Sequence, residues 1–324
     1  YLGGFKDHSK FINQTKPNMS KPKLAISFSG GRTSAVMTKL CVEKFTDTHD
    51  ISITFANTGC EHENTLKFVD QCDKHFKWNV VWVEAVVNPE EGKGVRHKIV
   101  DYETASRYGE PFDAMCAKYG TPGPGGEFCT RSLKADPISS YLKRELKWEK
   151  KDYWMAIGIR SDEIDRVSQN RIKNRWLYPL VDAGWTKDDV KRECASWPFD
   201  LDLKGEHYGN CVWCWKKSMR KLLTLAKDDE SIFDFPRHLE VNYSNTMTEG
   251  RREKLKKRGK EPVAHQMFRK NMTTVDIIKL AREGNFEPYA DTDQLDFGFS
   301  QPNYDVFLDT GSACGESCEI GADE

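Results

Sequence analysis

The sequence lacks any real excess of charge. Its 49 Lys and Arg residues face 50 Asp and Glu, for a net charge of −1. That excludes a globally basic nucleic-acid binder and leaves only a local basic patch for a polyanion. It also lacks long hydrophobic runs: none nears the roughly 20 residues that span a bilayer, and no apolar signal segment opens the chain. The expectation is a cytoplasmic protein with no membrane partner. No internal repeat is visible, and neither the GxxxxGKS/T nor the GxGxxG phosphate loop occurs. What is present is globular in character: 38% hydrophobic residues, 31% charged, 9 Trp and 17 Phe, too aromatic for a disordered chain. At about 150 residues per domain, 324 residues give two domains or one large α/β domain with an appendage.

The hydrophobic pattern alternates. Residues 24–29 (LAISFS), 51–56 (ISITFA) and 80–83 read as buried strands, with helical spacing over 35–45 and 63–76 between them. That β-α-β-α-β order argues for a parallel sheet with helices on both faces. From 84 to 127 the pattern breaks up, and residues 120–126, rich in Gly and Pro, read as a loop. A helix is expected over 131–146, a strand over 153–159 and a short apolar segment at 177–181. Thr186 is a suitable N-cap for a helix from Lys187, and a short helix over 274–282 is capped by Thr273 or Thr274.

The first strand runs into Ser29-Gly30-Gly31-Arg32-Thr33-Ser34 and then a helix. Glycines allow a tight turn, and the free N–H groups and dipole of a helix start favour an anion. The same pattern also suits a βα turn whose serines cap the helix. Asn57-Thr58-Gly59-Cys60-Glu61 ends the second strand, and Gly158-Ile159-Arg160-Ser161-Asp162-Glu163 ends a later one. In an open parallel sheet, ligands bind beyond these carboxyl ends, which favours the anion-binding reading.

Ten cysteines in a chain with no signal peptide favour thiol, metal or redox chemistry over a disulfide framework. Cys41, Cys72 and Cys194 fall in helical patterns and are expected to pack. Cys211 and Cys214 form a CxxC pair flanked by Trp213, Trp215, Lys216, Lys217 and Arg220. Two such thiolates reach one metal, and the neighbouring cations are expected to lower the thiol pKa.

The set SFSGGRTSAVM, FANTGCEHENTLKFV, FCTRSLKADPI, IGIRSDEIDR, YPLVDAGWTKDDV and GNCVWCWKKS resembles the PAPS (phosphoadenosine phosphosulfate) reductase family of the PP-loop, or N-type ATP pyrophosphatase, superfamily. It is most similar to the divergent, often phage-encoded branch with an SGGRTS loop. The resemblance implies a Rossmann-like α/β sheet of adenine-nucleotide alpha-hydrolase type with a mostly helical C-terminal extension. With the residue pattern on either side of it, the expected division is an arm (1–21), a nucleotide-binding domain with the cysteine site (22–225), a basic helical extension (226–290) and an acidic, cysteine-containing tail (291–324).

By the same resemblance, Ser29, Gly30, Gly31, Arg32, Thr33 and Ser34 hold phosphates. Asn57, Thr58, Gly59 and Glu61 border the adenosine, and Gly158, Arg160, Asp162, Glu163 and Arg166 close the site, Arg160 as a catalytic group. Arg131 and Lys134, three apart on the expected helix, share an anion-binding face. Lys98, Arg171 and Arg175 are weaker candidates. Cys129 joins Cys211 and Cys214 as metal ligands, with Cys116 the nearest fourth. An iron–sulfur cluster of the 4Fe–4S type is implied. Zinc, with a partner such as His207, is the alternative. Thr33 stands where ATP-cleaving members carry Asp.

Two reactions stay open. In one, ATP, with Mg²⁺, gives an adenylate and pyrophosphate in sulfur metabolism or nucleic-acid modification, and a sulfur donor then displaces AMP. In the other, Cys314 attacks PAPS or APS and a thioredoxin-like reductant releases sulfite. The segment around Cys314 and Cys318 matches the reductase tail only at Cys314-Gly315, so an exposed tail or a Cys314–Cys318 disulfide reads as well. A third reading is a non-catalytic, metal-stabilised nucleotide- or nucleic-acid-binding module. Residues 251–260 (RREKLKKRGK), from Arg251 to Lys260, are seven-tenths basic. They suit either a nucleic-acid contact or a solvated helix paired to the acidic tail.

Overall fold

The computed structural model describes residues 21–124, 126–261 and 266–290. Its centre is a six-stranded sheet in the order β4-β3-β2-β1-β5-β6. The strands are β1 (Lys23–Ser27), β2 (Asp50–Asn57), β3 (Val81–Val87), β4 (Val95–Val100), β5 (Tyr153–Ala156) and β6 (Trp176–Leu177). All neighbours pair in parallel except β4, which runs antiparallel to β3 at the edge. The central strands are buried on both faces, as the continuous apolar runs of a covered parallel sheet require.

Two long crossover helices, α1 (Arg32–Phe45) and α2 (Glu63–Phe76), connect β1 to β2 and β2 to β3. Because the sheet is parallel and β1 is central, the ends of β1, β2 and β5 open side by side at one edge. The loops that carry the sequence motifs follow those ends. The expected cap at Thr186 forms as a capping box with Asp189 at the start of α5 (Lys187–Ala195). Thr273 caps the last helix, α9 (Thr274–Glu283), in the same way.

The stretch that breaks up in sequence holds two elements, the edge strand β4 and the helix α3 (Glu110–Tyr119). The expected helix over 131–146 begins as a π-helical turn, Arg131–Ala135, and becomes α4 over Asp136–Arg144. A π turn carries about five residues where an α turn carries fewer, so positions three apart no longer stack. Arg131 is exposed and Lys134 is buried, which corrects the expectation of one shared face. The segment expected at 177–181 is β6 followed by a helical turn from Pro179, whose ring ends the strand.

C-terminal helices α6 (Met219–Asp228), α7 (Asp234–Tyr243) and α9 pack with α3 and the cysteine loops in one apolar cluster. The cluster runs from Cys60 and Phe112 to Phe233, Leu239 and Ile277. The basic run forms α8 (Glu249–Lys257), which buries none of its residues. Among the described residues no helix is long and apolar enough to cross a membrane.

Candidate functional site: a phosphate loop beside a cysteine cavity

Ser29 and Gly30 leave β1 and turn into α1. Gly30 adopts φ +84°, and a Cβ there would lie 2.7 Å from Thr65 Cγ2, so only glycine fits the turn. Gly31 is the N-cap of α1 and offers no side-chain cap. Ser34 ties the loop together: its Oγ donates to the Gly31 carbonyl and accepts from the Ser29 amide and hydroxyl at 3.2 and 2.9 Å. The serines therefore brace the loop and leave the first turn of α1 as the anion-facing end.

Arg160 reaches this loop from the end of β5. Its Nη1 donates to Thr33 Oγ1 at 3.1 Å, although the two are far apart in sequence. The guanidinium is buried and also bonds Asp162, with Glu163 at 3.5 Å. Glu163 in turn holds Arg166 and closes a capping box on Arg160. Thr33 thus presents its hydroxyl to a cation. Arg32 turns away and forms a two-pronged pair with Asp200 at 2.7 and 2.8 Å. Gly158 is buried just before Arg160.

The loop after β2 is held by carboxylates. Asn57 donates to Glu84 at 2.7 Å and to the Ser106 carbonyl. Glu84 also accepts from the Ser106 amide and hydroxyl and pairs with Lys98 at 2.8 Å. Burial pushes the Glu84 pKa up, but Lys98, Ser106 and Asn57 outweigh it and hold the carboxyl below the usual range. Lys98 thus braces this loop through Glu84, and Glu84 is a residue the sequence pattern did not single out. Glu61 accepts from the amides of Thr58 and Cys60 and from the Thr58 hydroxyl. Gly59, at φ +78°, lets the chain pass within contact of Gly109. Arg171 pairs with Asp182, and Arg175 donates to the Tyr153 carbonyl and lies over Trp154; both serve the β5–β6 region.

Cys129, Cys211 and Cys214 line one small cavity with Thr58 and Lys134. Thr58 Oγ1 lies 3.4 Å from Cys211 Sγ. Cys60 and Cys116, both buried, are close enough to interact electrostatically with this group, Cys60 with Cys211 and Cys116 with Cys129. Burial pushes the Cys60, Cys116 and Cys211 thiols well up. For Cys211 the Glu61 charge adds to burial and Lys134 opposes it. For Cys211 burial outweighs the neighbouring cations, and Lys216, Lys217 and Arg220 each brace the surrounding backbone or pair with a carboxylate. Lys217 is buried and donates to the carbonyls of Gly209, Cys211 and Val212. Lys216 pairs with Glu127, and Arg220 bonds the Glu287 and Pro288 carbonyls. Lys217 is thus the internal brace of the CxxC turn.

His207 lies 3.8 Å from Asp228, tilted against Tyr208 and edge-on to Tyr289, and is not among the residues lining the cysteine cavity. Among the described residues no three His, Cys, Asp or Glu side chains converge to hold a single metal ion. Cys41, Cys72 and Cys194 are buried in the core as expected, Cys41 with its pKa pushed up to about 12 by burial. Cys314 and Cys318 lie outside the described residues.

The sequence from 23 to 191 matches the model of the phosphoadenosine phosphosulfate reductase domain. The chain belongs to this family. As a PAPS reductase-family member it is 33% identical over 302 residues to the nin-region protein ORF290 of Escherichia phage lambda, covering 91% of this chain and 94% of the phage protein. It is 25% identical over 175 residues to protein MJ0066 of Methanocaldococcus jannaschii, covering 53% of this chain and 30% of that protein. Among solved structures it is similar to the U34-tRNA thiolase NcsA of Methanococcus maripaludis, solved with its 4Fe–4S cluster. There the identity is 16% and the TM-score 0.36, over 87% of this chain and 80% of that one, a likeness too slight to carry a site across. The family utilises adenine nucleotides, and the six-stranded, mostly parallel sheet with helices between its strands is Rossmann-like.

Proposed function

We propose that this protein binds an adenine nucleotide with its phosphates at residues 29–34 and cleaves it there, ATP giving an adenylate and pyrophosphate. The observation that carries the reading is Arg160. A buried guanidinium from β5 meets the hydroxyl of Thr33 in the first turn of α1, so two separate chain segments aim positive potential at one point. Asn57 and Gly158 flank that point on neighbouring strand ends.

In this reading a nucleophilic oxygen of a second substrate bonds to the α-phosphorus. The bond to the β,γ-phosphates breaks, and its electron pair leaves on pyrophosphate. Arg160 and the amides of the α1 start stabilise that charge. Mg²⁺, when bound with ATP, supplies further neutralisation of the phosphates. The donor set around the second cavity suits an iron–sulfur cluster better than zinc. A zinc ion needs its ligands about 2.3 Å from one point, whereas a cluster takes thiolates spread around it. Cys129, Cys211 and Cys214 would hold it, with Cys116 or Cys60 beside them, and it would supply sulfur or electron chemistry next to the nucleotide.

The test is anaerobic purification with iron and zinc analysis, then separate incubation with ATP and with PAPS at constant thiol. AMP and pyrophosphate from ATP, reduced about 100-fold by Arg160→Gln, are expected. Sulfite and adenosine 3′,5′-bisphosphate from PAPS, with ATP intact and Cys314 required, would instead establish the reductase reaction with a thioredoxin-like partner. Tight nucleotide binding without either product, with RNA and DNA also supplied as acceptors, would establish a binding module.

A further inference from the structure

The loop from Gly59 to His62 borders a second, larger hollow, a cleft of about 600 Å³, within the range of small-molecule sites. It is separate from the cysteine cavity, although Trp213 lines both. Its walls are aromatic: Tyr108, Tyr208, Trp213 and Phe235. Trp213 and Phe235 meet at 5.9 Å between ring centres, and Phe235 is locked over Gly109, where a Cβ would lie 2.2 Å from its ring. Tyr108 is 84% exposed, and none of the ring contacts found among the described residues involves it. A large ring held outward at the mouth of a pocket is a stacking platform lacking its partner.

His62 adds a directed polar group. Its Nδ1 accepts from the Asn64 amide at 3.1 Å as the cap of α2, so Nε2 carries the proton of the neutral ring. The Asp234 carboxylate, also on the wall, is exposed.

From this cleft one element leads directly to the basic run. α7 starts at Asp234 on the wall and extends ten residues to Tyr243, about 15 Å. The Thr246 carbonyl then passes over Gly120, and α8 begins at Glu249, whose amide donates to Glu91. On α8, Arg251 is partly buried over the Phe128 ring at 5.8 Å and fixes the helix beside the segment bearing Cys129. Lys254, Lys256, Lys257 and Arg258 are exposed along it, followed by Lys260. No acidic side chain pairs with these five in the ion pairs found among the described residues. In a molecule of net charge −1 this is a local positive ridge.

We propose that the second substrate of the reaction is a single-stranded or looped nucleic acid, with one base stacked in the Tyr108–Trp213–Phe235 cleft and its backbone lying on α8. This rests on the nucleotide-cleaving reading above and names the acceptor for it. The two surfaces complement the two parts of such a ligand: base faces stack on aromatic rings, and phosphates follow lysines. An acidic protein surface would use the ridge but need not present a ring to the cleft.

The experiment uses the full chain and fluorescein-labelled 20-nucleotide RNA and DNA, read by anisotropy at several salt concentrations without ATP. Wild-type binding should weaken steeply with salt. Lys254→Gln/Lys256→Gln/Lys257→Gln should lower affinity at least tenfold and reduce the log–log salt slope by about 2, given −0.7 per phosphate contact on a single strand. Tyr108→Ala should lower affinity about tenfold with the slope unchanged. Both variants alter exposed side chains, so folding is retained and checked by circular dichroism.

Absence of binding at low salt overturns the proposal, and so does a Tyr108→Ala variant that binds as wild type. Displacement of RNA by polyglutamate at equal charge concentration also overturns it, and points to an acidic protein partner. Pyrophosphate release, assayed separately, keeps a failure of the nucleotide reading distinct: with that reading wrong, binding and both variant effects persist.

Discussion

At the level of single residues, the phosphate loop depends on one conformation. Gly30 sits at φ +84° against Thr65, Val69 and Phe55. Gly30→Ala introduces both left-handed strain and a contact near 2.7 Å with the Thr65 methyl. It should cost about 1–3 kcal/mol of stability and abolish nucleotide binding, seen by urea unfolding beside equilibrium dialysis with ATP. The glycine pair is legible in sequence because a strand–Gly-Gly–helix order has few geometric solutions. Arg160 is legible only through the motif it belongs to: nothing local to it says that its guanidinium reaches Thr33. Arg32 shows the reverse, a loop residue whose charge is taken up by Asp200.

Among elements, the loop after β2 is only as rigid as the edge that carries Glu84 and Lys98. The Glu84 side chain is fully buried and its carboxyl is held below the ordinary range near 4.3. A depressed carboxyl contributes stability that is complete above its unfolded value and lost as pH falls through its folded value. Unfolding free energy should therefore decline from about pH 5 downward, and Glu84→Gln should flatten that decline. At neutral pH the same variant should be about 1–3 kcal/mol less stable, because Lys98 loses its partner and Ser106 an anionic acceptor. Chemical denaturation across the pH series checks both.

The strand that supplies Lys98 was not visible in the pattern. Val95, His97 and Ile99 alternate with charged residues in a stretch flanked by Gly and Glu, and an exposed antiparallel edge leaves a weak signal. The helix α3 did leave one: Phe112, Met115 and Cys116 have helical spacing and are all buried. The π turn before α4 left none, since its register is set by packing of Leu133 and Lys134 into the cavity walls.

For the molecule as a whole, the cysteine cavity and the C-terminal helices share one core. Phe233 is fully buried, 6.2 Å from Phe268, in the cluster that also contains Cys60, Cys211 and Cys214. Phe233→Ala should lose about 3–5 kcal/mol and, in the cluster-bearing form proposed above, lower iron content on anaerobic purification in parallel. Thermal unfolding and iron analysis of the same preparation read the two effects. A metal content held at the wild-type level with a lowered Tm would separate the two functions of the core.

The sequence by itself determined the alternating α/β order, the family, the Gly-Gly turn after β1 and the CxxC turn. Each is encoded by residues adjacent in the chain, whose backbone and spacing requirements are local. Tertiary structure alone decided that Thr58 and Lys134 face the same cavity as Cys129, Cys211 and Cys214, that Cys60 stands beside them, and that an aromatic cleft opens next to it. Those groups come from strand ends, a π turn and a C-terminal loop far apart in the chain. Their convergence is fixed by the parallel sheet, which sets the carboxyl ends of β1, β2 and β5 side by side, and by the shared core that folds the C-terminal helices onto that edge.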